Sequence, residues 1–102
     1  MRVISGKARG TSLYSLEGSH TRPTTDRVKE SMFSIINFNI PDANVLDLFS
    51  GSGALGIEAI SRGAKKCWFV ENSRQAADIV RKNIEKTNSA EKAVLKVMDY
   101  KA

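Results

Sequence analysis

Three glycines stand where a strand-like apolar run gives way to a helical pattern. Gly51, Gly53 and Gly56 spell G-x-G-x-x-G directly after the apolar run at residues 45–49. Glycine adopts positive φ readily, and because it has no Cβ a ligand can approach the main chain closely. In a strand–loop–helix context the pattern is typical of loops that bind an adenosine-containing cofactor. The alternative is a tight turn that binds nothing.

A carboxylate follows this loop at a spacing that suits the same chemistry. Glu71 lies twenty residues after Gly51, at the end of the next apolar run. An acid at this place can accept hydrogen bonds from both hydroxyls of an adenosine ribose. The competing interpretation is an ordinary acid at the end of a strand that faces water.

The charge of Asp47 indicates which cofactor the loop takes. Asp47 lies four residues before Gly51, at the carboxyl end of the first predicted strand. A carboxylate there would repel the pyrophosphate that a dinucleotide places at a helix start, whereas it would attract the ammonium and sulfonium groups of S-adenosylmethionine. Asp47 therefore favours S-adenosylmethionine over NAD, although it could instead only bind nearby backbone amides. Asp99 closes the third predicted strand and could accept from the adenine amino group, or it could belong to a turn.

The elements that must position these residues alternate between strands and helices. Strands are predicted at residues 45–49, 67–70 and 94–97, and the first, being almost unbroken in apolar character, is expected to be buried on both faces. A helix is predicted at residues 54–62, with Leu55, Ala59 and Ile60 facing inward and Gly63 ending it. Ser73 is expected to cap the next helix, whose apolar face is made of Ala76, Ala77, Val80 and Ile84. Alternating β and α units predict an α/β fold with a parallel sheet and right-handed crossovers.

Two further elements precede the first strand. Residues 1–20 read as a β-hairpin around a turn at residues 6–10. After residues 22–23 a helix is predicted, capped by Thr24 or Thr25 and opened by Asp26. Its predicted inward stripe consists of Val28, Met32, Ile35 and Ile36.

Composition excludes several classes of protein. The chain has 102 residues, a formal net charge of +5, a single cysteine (Cys67) and a single histidine (His20), so a disulfide framework or a Cys-rich zinc site is not expected. No apolar run approaches the roughly 20 residues of a membrane helix, and the first residues do not resemble a signal peptide. We therefore expect a cytoplasmic protein. The excess of positive charge suits an anionic partner such as a nucleic acid.

Three segments in order resemble one methyltransferase family. Residues 2–10 (RVISGKARG), 22–30 (RPTTDRVKE) and 45–59 (VLDLFSGSGALGIEA) are similar to motifs of the bacterial RsmD family of 16S ribosomal RNA guanine-N2 methyltransferases. The resemblance implies a Rossmann-like class I methyltransferase domain that uses S-adenosylmethionine. It also implies transfer of a methyl group to the exocyclic N2 amine of a guanine in small-subunit ribosomal RNA. Residues 1–20 would then face RNA, and residues 21–102 would form the first half of the methyltransferase domain.

The resemblance also implies roles for single residues. Asp47, Gly51 and Gly53 would line the methionine end of the cofactor, Glu71 would bind the ribose and Asp99 the adenine. Arg22 and Thr24 would lie near the cofactor carboxylate. Arg2, Lys7 and Arg9 would contact RNA from the hairpin, with Arg22, Arg27 and Lys29 close behind them in sequence. The alternative is that these basic residues form an ordinary solvated surface.

The family's Asn/Asp-Pro-Pro-Phe/Tyr motif, which holds the target amine, does not occur in residues 1–102. We therefore name no catalytic residue, and we expect this chain by itself to be inactive and prone to self-association through an exposed sheet edge. Ribosomal RNA or an assembling small subunit is the expected partner. The alternatives are a methyltransferase for DNA or protein amines, or a non-catalytic cofactor-binding fragment.

Overall fold

Strands and helices alternate along the chain as the sequence predicted. The computed structural model describes residues 2–15, 23–48 and 51–98, with residues 23–26 described by their backbone alone. The elements are α1 (Pro23–Ile36), β1 (Asn44–Leu48), α2 (Ala54–Ser61), β2 (Lys66–Glu71), α3 (Arg74–Lys86) and β3 (Ala93–Val97), with short 3-10 turns at Asn37–Asn39 and Ala90–Lys92. Over this part of the chain, no helix combines the length and apolar character needed to cross a bilayer.

The sheet is parallel, with strand order β1-β2-β3. Val45 lies opposite Cys67, which lies opposite Ala93. Helices α2 and α3 make the two crossovers and cover one face of the sheet, where the side chains of Cys67 and Phe69 are fully buried. The predicted α/β fold is confirmed, and the main core lies between β2 and the two crossover helices.

The other face of β1 differs from expectation. Leu46 is 60% exposed and Leu48 53% exposed, so the prediction of a strand buried on both faces is wrong for these residues. The reason is that α2 and α3 both lie on one side, and the described part of the chain leaves these two side chains uncovered. β1 is also one of the two edge strands of the described sheet. Self-association through this edge remains a prediction, and Phe49 lies outside the described residues.

Helix α1 begins at Pro23, earlier than the predicted Asp26, because proline suits the first helical position. Its predicted inward stripe is wrong: Val28 is 63% exposed and Ile35 81% exposed. Among the side chains of α1 that the structure describes, those of residues 27–36, Lys29 and Phe33 are the buried ones, one helical turn apart. The ring of Phe33 packs with a smaller apolar cluster, so the orientation of α1 follows from its contacts rather than from its apolar pattern.

Helix α2 follows prediction at its end and departs from it at its start. Leu55 is 45% exposed rather than inward, and Ile57 takes the core position. The helix stops as predicted at Gly63, whose φ is 106°. Ala64 N donates to Ala59 O at 3.0 Å and Gly63 N donates to Ile60 O at 3.0 Å, the paired bonds of a Schellman motif.

Helix α3 and its cap are confirmed. The Oγ of Ser73 accepts a hydrogen bond from Ala76 N at 3.3 Å. The four residues predicted to form the apolar face of α3 are all buried: Ala76, Ala77, Val80 and Ile84. A fifth buried residue on this face, Asn83, is polar.

The opening segment, residues 2–15, folds back on itself once. Arg2 and Ser12 form an antiparallel bridge, and Val3 N donates to Thr11 O at 2.9 Å. Val3 and Leu13 are both buried in the main core. The predicted hairpin is therefore a short docked loop in the described part, and residues 16–20 lie outside it.

A fully buried carboxylate, that of Glu58 in the middle of α2, holds this segment and α1 in place. Glu58 Oε1 accepts from Ile4 N at 2.9 Å, and Oε2 accepts from Ser5 N at 3.1 Å. The same carboxylate pairs with Lys29 Nζ at 3.2 Å and with Arg62 Nε at 2.8 Å. One side chain thus fastens three parts of the chain together.

Replacing Glu58 should cost far more stability than breaking a surface ion pair. In Glu58→Gln the ammonium of Lys29, which is 2% exposed, loses its counter-charge. Removing one partner of a buried pair costs about 3–5 kcal/mol, which urea unfolding would measure. Asp78→Asn is the matched control, because the Asp78–Arg81 pair is exposed on both sides and should lose less than about 1 kcal/mol. Equal small losses in both variants would contradict the role given to Glu58.

Candidate cofactor-binding site

The loops that follow β1 and β2 meet at the carboxyl edge of the sheet because the two strands are parallel neighbours. Gly51 N donates to Glu71 Oε2 at 2.9 Å, while Glu71 Oε1 accepts from Asn72 N at 3.0 Å and Ser73 N at 3.2 Å. A carboxylate offers about four acceptor positions. The three amides therefore leave Glu71 capacity for a further hydroxyl donor at this edge.

The three glycines of the loop serve different purposes. Gly51 has a φ of 60°, and a Cβ built there would meet nothing within 4 Å, so the space beside its main chain is open. Gly53 has a φ of 80° and precedes α2. A Cβ on Gly56 would lie 2.4 Å from the ring of Phe69, so this glycine lets α2 pack directly on β2. Only the first of the three leaves room for a ligand.

Asp47 lies beneath the start of α2. Its Oδ2 accepts from Gly56 N at 3.0 Å, and the residue is 7% exposed. Burial raises the pKa of Asp47, the amide of Gly56 opposes the rise, and the charge of Glu71 adds to it. Asp47 lies opposite Phe69, which is two residues before Glu71, so both carboxylates point to the same face of the sheet.

Neither carboxylate forms an ion pair with a cation in the described part of the chain. The edge therefore carries concentrated negative charge that suits a cationic ligand. Cys67 lies below it, and burial, together with the charge of Asp47, raises the pKa of its thiol to about 12. A thiol with so high a pKa stays protonated, so Cys67 is a packing residue rather than a nucleophile.

The structure brings together four of the predicted cofactor residues: Asp47, Gly51, Gly53 and Glu71. Arg22 and Asp99 lie outside the described residues, and for Thr24 only the backbone, within α1, is described. Over the described ranges no group of three or more potential ligands could hold a metal ion.

The three basic residues predicted to face RNA, Arg2, Lys7 and Arg9, are exposed on the opening segment. Lys29 does not join them as the sequence suggested. It is buried, and its Nζ donates to Arg2 O at 2.6 Å in addition to its ion pair with Glu58.

Asn83, which no sequence motif indicated, fixes the glycine loop. Its Nδ2 donates to Ser52 O at 2.8 Å and to Tyr14 O at 3.0 Å, and its Oδ1 accepts from Tyr14 N at 2.7 Å. The side chain is fully buried. The available signal was a polar residue on the apolar face of α3, since such a residue needs partners inside the protein.

Comparisons with known proteins give a consistent picture. The family model described as "Conserved hypothetical protein 95" matches residues 1–102. The chain is 51% identical over 85 residues to a putative ribosomal RNA methyltransferase, YlbH, of Bacillus subtilis, covering 83% of this chain and 46% of that protein. It is 44% identical over 85 residues to ribosomal RNA small subunit methyltransferase D of Haemophilus influenzae, covering 83% of this chain and 44% of that protein.

The chain is also similar to a solved structure. The putative methyltransferase yhhF from Escherichia coli superposes with a TM-score of 0.83 at 39% identity, over 97% of this chain and 54% of that one. The chain therefore spans about half the length of the relatives it matches.

Two glycine substitutions should separate packing from open space. Gly56→Ala forces a methyl group against the Phe69 ring, and overpacking of this kind costs about 1–3 kcal/mol. Gly51→Ala meets no neighbour and should cost only the left-handed backbone strain, about 1–2 kcal/mol. The midpoint of urea unfolding should therefore lie at a lower urea concentration for Gly56→Ala than for Gly51→Ala. The reverse order would show that the two glycines have been assigned the wrong roles.

Asp47→Asn should stabilise the fold at neutral pH. Because the folded pKa of Asp47 lies above its ordinary value of 3.8, ionisation of the folded chain costs stability as pH rises through the folded pKa. Asparagine removes that cost, and its Oδ1 can still accept from Gly56 N. Unfolding measured at pH 7 should favour the variant, and the difference should disappear below pH 3.8. A variant that is less stable at pH 7 would contradict this.

Proposed function

This chain belongs to the family described as conserved hypothetical protein 95, and on that premise we propose that it supplies the cofactor-binding half of a ribosomal RNA methyltransferase. The cofactor of the proposal is S-adenosylmethionine, and its target is the exocyclic N2 amine of a guanine in small-subunit RNA. Relatives whose names describe ribosomal RNA methyltransferases support the general activity. The proposal rests chiefly on one observation: the Gly51 amide donates to Glu71, and the space beside the Gly51 main chain is open.

The described residues fit this cofactor chemically. Glu71 has acceptor capacity for a ribose hydroxyl, and the open side of Gly51 accommodates a ligand close to the main chain. Asp47 supplies negative charge suited to an ammonium or sulfonium group. A pyrophosphate would meet two carboxylates with no described cation paired to either, which argues against a dinucleotide. When bound, S-adenosylmethionine supplies an electrophilic methyl group.

The part assigned to this chain is binding and orientation. Methyl transfer to an amine depends mainly on holding the nitrogen in line with the methyl group, so rigid placement of the cofactor is a direct contribution. Asn83 serves that placement by tying the glycine loop to α3 through Ser52 O. We assign no catalytic residue to residues 1–102.

The proposal gives the opening segment an RNA-binding role. Arg2, Lys7 and Arg9 are exposed there, and lysine and arginine contacts with phosphates supply most of the sequence-independent affinity for nucleic acid. Residues 1–20 would then grip ribosomal RNA or an assembling subunit, and residues 21–102 would hold the cofactor. A cytoplasmic location follows from such a substrate.

Calorimetric titration of the chain with S-adenosylhomocysteine and with NAD tests the cofactor. We expect S-adenosylhomocysteine to bind and NAD not to bind. Glu71→Ala removes a charge-assisted hydrogen bond to the ligand worth about 1.5–3 kcal/mol and should weaken binding about tenfold or more. Glu91→Ala, at an exposed acid before β3, is the matched control and should bind as the unaltered chain does. Preferential binding of NAD, or equal affinity in both variants, would refute the proposal.

Asp47→Asn sharpens the same experiment. This variant is expected to be more stable at pH 7 and yet to bind S-adenosylhomocysteine more weakly, because it lacks the charge that attracts the ligand's ammonium. Stability and affinity that move in opposite directions cannot be explained by partial unfolding. Unchanged affinity would remove Asp47 from the cofactor site.

A further inference from the structure

A cavity lies at the edge of the sheet where the strands begin, opposite the candidate cofactor-binding site. Its volume is about 350 Å³, and it is bounded by the opening segment, the end of α2 and the residue before β3. Three cationic side chains line it, those of Lys7, Arg62 and Lys92, and none of the described lining residues is acidic. Like charges repel when they are gathered around one space, so an anion in the cavity would be stabilised by all three.

Arg62 is built into this cavity rather than free at the surface. Its side chain is only 10% exposed, and its Nε donates to Glu58 Oε2 at 2.8 Å. Its Nη1 donates to Asn37 Oδ1 at 3.4 Å, and the guanidinium carbon lies 4.8 Å from the centre of the Phe33 ring. A guanidinium carries five N–H donors, and the rest have no partner in the described part of the chain. These remaining donors are therefore available to an anion in the cavity.

The backbone that carries Lys7 is also held tightly. Gly6 has a φ of 90°, and a Cβ there would lie 1.8 Å from Ser61 O, so no other residue fits this close approach. Lys7 N donates to Ser61 O at 3.0 Å, and Ala8 N donates to Ser61 Oγ at 2.9 Å. These bonds fix Lys7 over the end of α2, beside Arg62.

We propose that this cavity is a phosphate-binding site, in which the guanidinium of Arg62 binds the oxyanion and Lys7 and Lys92 complete its neutralisation. The fork of N–H groups on arginine matches the oxygens of phosphate. Two nearby acids, Asp42 and Glu91, are exposed and do not line the cavity. Glu58 is already paired with Lys29 and Arg62 and hydrogen-bonded to backbone amides.

The phosphate could be part of an RNA backbone or free in solution. The RNA source rests on the proposed function, whereas the anion site itself does not. The strands are five or six residues long, which separates this cavity from the cofactor edge by about 15–20 Å. An RNA phosphate bound here would therefore anchor the substrate at a distance from the reacting base, without reading its sequence.

The test titrates the chain with inorganic phosphate and with a single-stranded RNA oligonucleotide, following the amide resonances of Gly6 and Gly63, which line the cavity. The variant is Lys7→Ala/Lys92→Ala, and the matched control is Lys82→Ala/Lys96→Ala, which removes the same charge from exposed lysines outside the cavity. We expect the cavity variant to weaken RNA binding about tenfold and to reduce the slope of log affinity against log salt by about 1–2.

Each outcome of these titrations either supports or overturns the proposed phosphate site. Resonance shifts with phosphate that are lost in the cavity variant and kept in the control support the site, and displacement of phosphate by RNA identifies RNA as the source. Shifts with phosphate that RNA does not displace support the site with free phosphate as its ligand. An affinity and salt slope that fall equally in both double variants, or the absence of any shift, would overturn the proposal.

Arg62→Lys gives a second variant that keeps the positive charge beside Glu58 but lacks the fork of donors. We expect it to keep its melting temperature to within a few degrees and to lose phosphate affinity several-fold. Unchanged phosphate affinity in a folded Arg62→Lys chain would also overturn the proposal. If the cofactor proposal alone is wrong, the chain will bind phosphate but will not bind S-adenosylhomocysteine.

Discussion

The carboxylate of Glu58 is the interaction on which the arrangement of this protein depends. It is fully buried, and a buried charge is tolerated only when it is paired and hydrogen-bonded. Lys29, Arg62 and the amides of Ile4 and Ser5 meet that requirement together. Because they come from three parts of the chain, α1, α2 and the opening segment fit only in one mutual position.

Helix α2 connects the candidate cofactor-binding site with the cavity lined by Lys7, Arg62 and Lys92. It begins directly after Gly53 of the glycine loop and ends directly before Arg62, which lines the cavity at the other edge of the sheet. A closed Schellman turn at its end and the close contact of Gly56 with Phe69 hold it against β2. The helix is therefore a rigid connection between the negative edge that suits a cationic cofactor and the positive cavity that suits a phosphate.

The alternation of elements, the cap at Ser73 and the stop at Gly63 were predictable because each depends on a few neighbouring residues. The orientation of α1 and the exposure of Leu46 were not, because they depend on which distant elements cover a surface. α1 carries apolar residues on more than one side, and the pairing of Lys29 with Glu58 decides which side turns inward. The spacing of Asp47, Gly51 and Glu71 revealed the candidate cofactor site, whereas the cavity of Lys7 and Lys92 joins residues too far apart in sequence for any local pattern to connect.

The docking of residues 2–15 has a consequence for how the chain is made. These residues are translated before their partners Glu58 and Asn83, which follow Ile4 and Tyr14 by 54 and 69 residues. At about 5–20 residues per second the opening segment waits several seconds before its binding surface exists. The opening segment is thus made well before the residues that hold it, and vectorial synthesis leaves it without these partners until α3 has been completed.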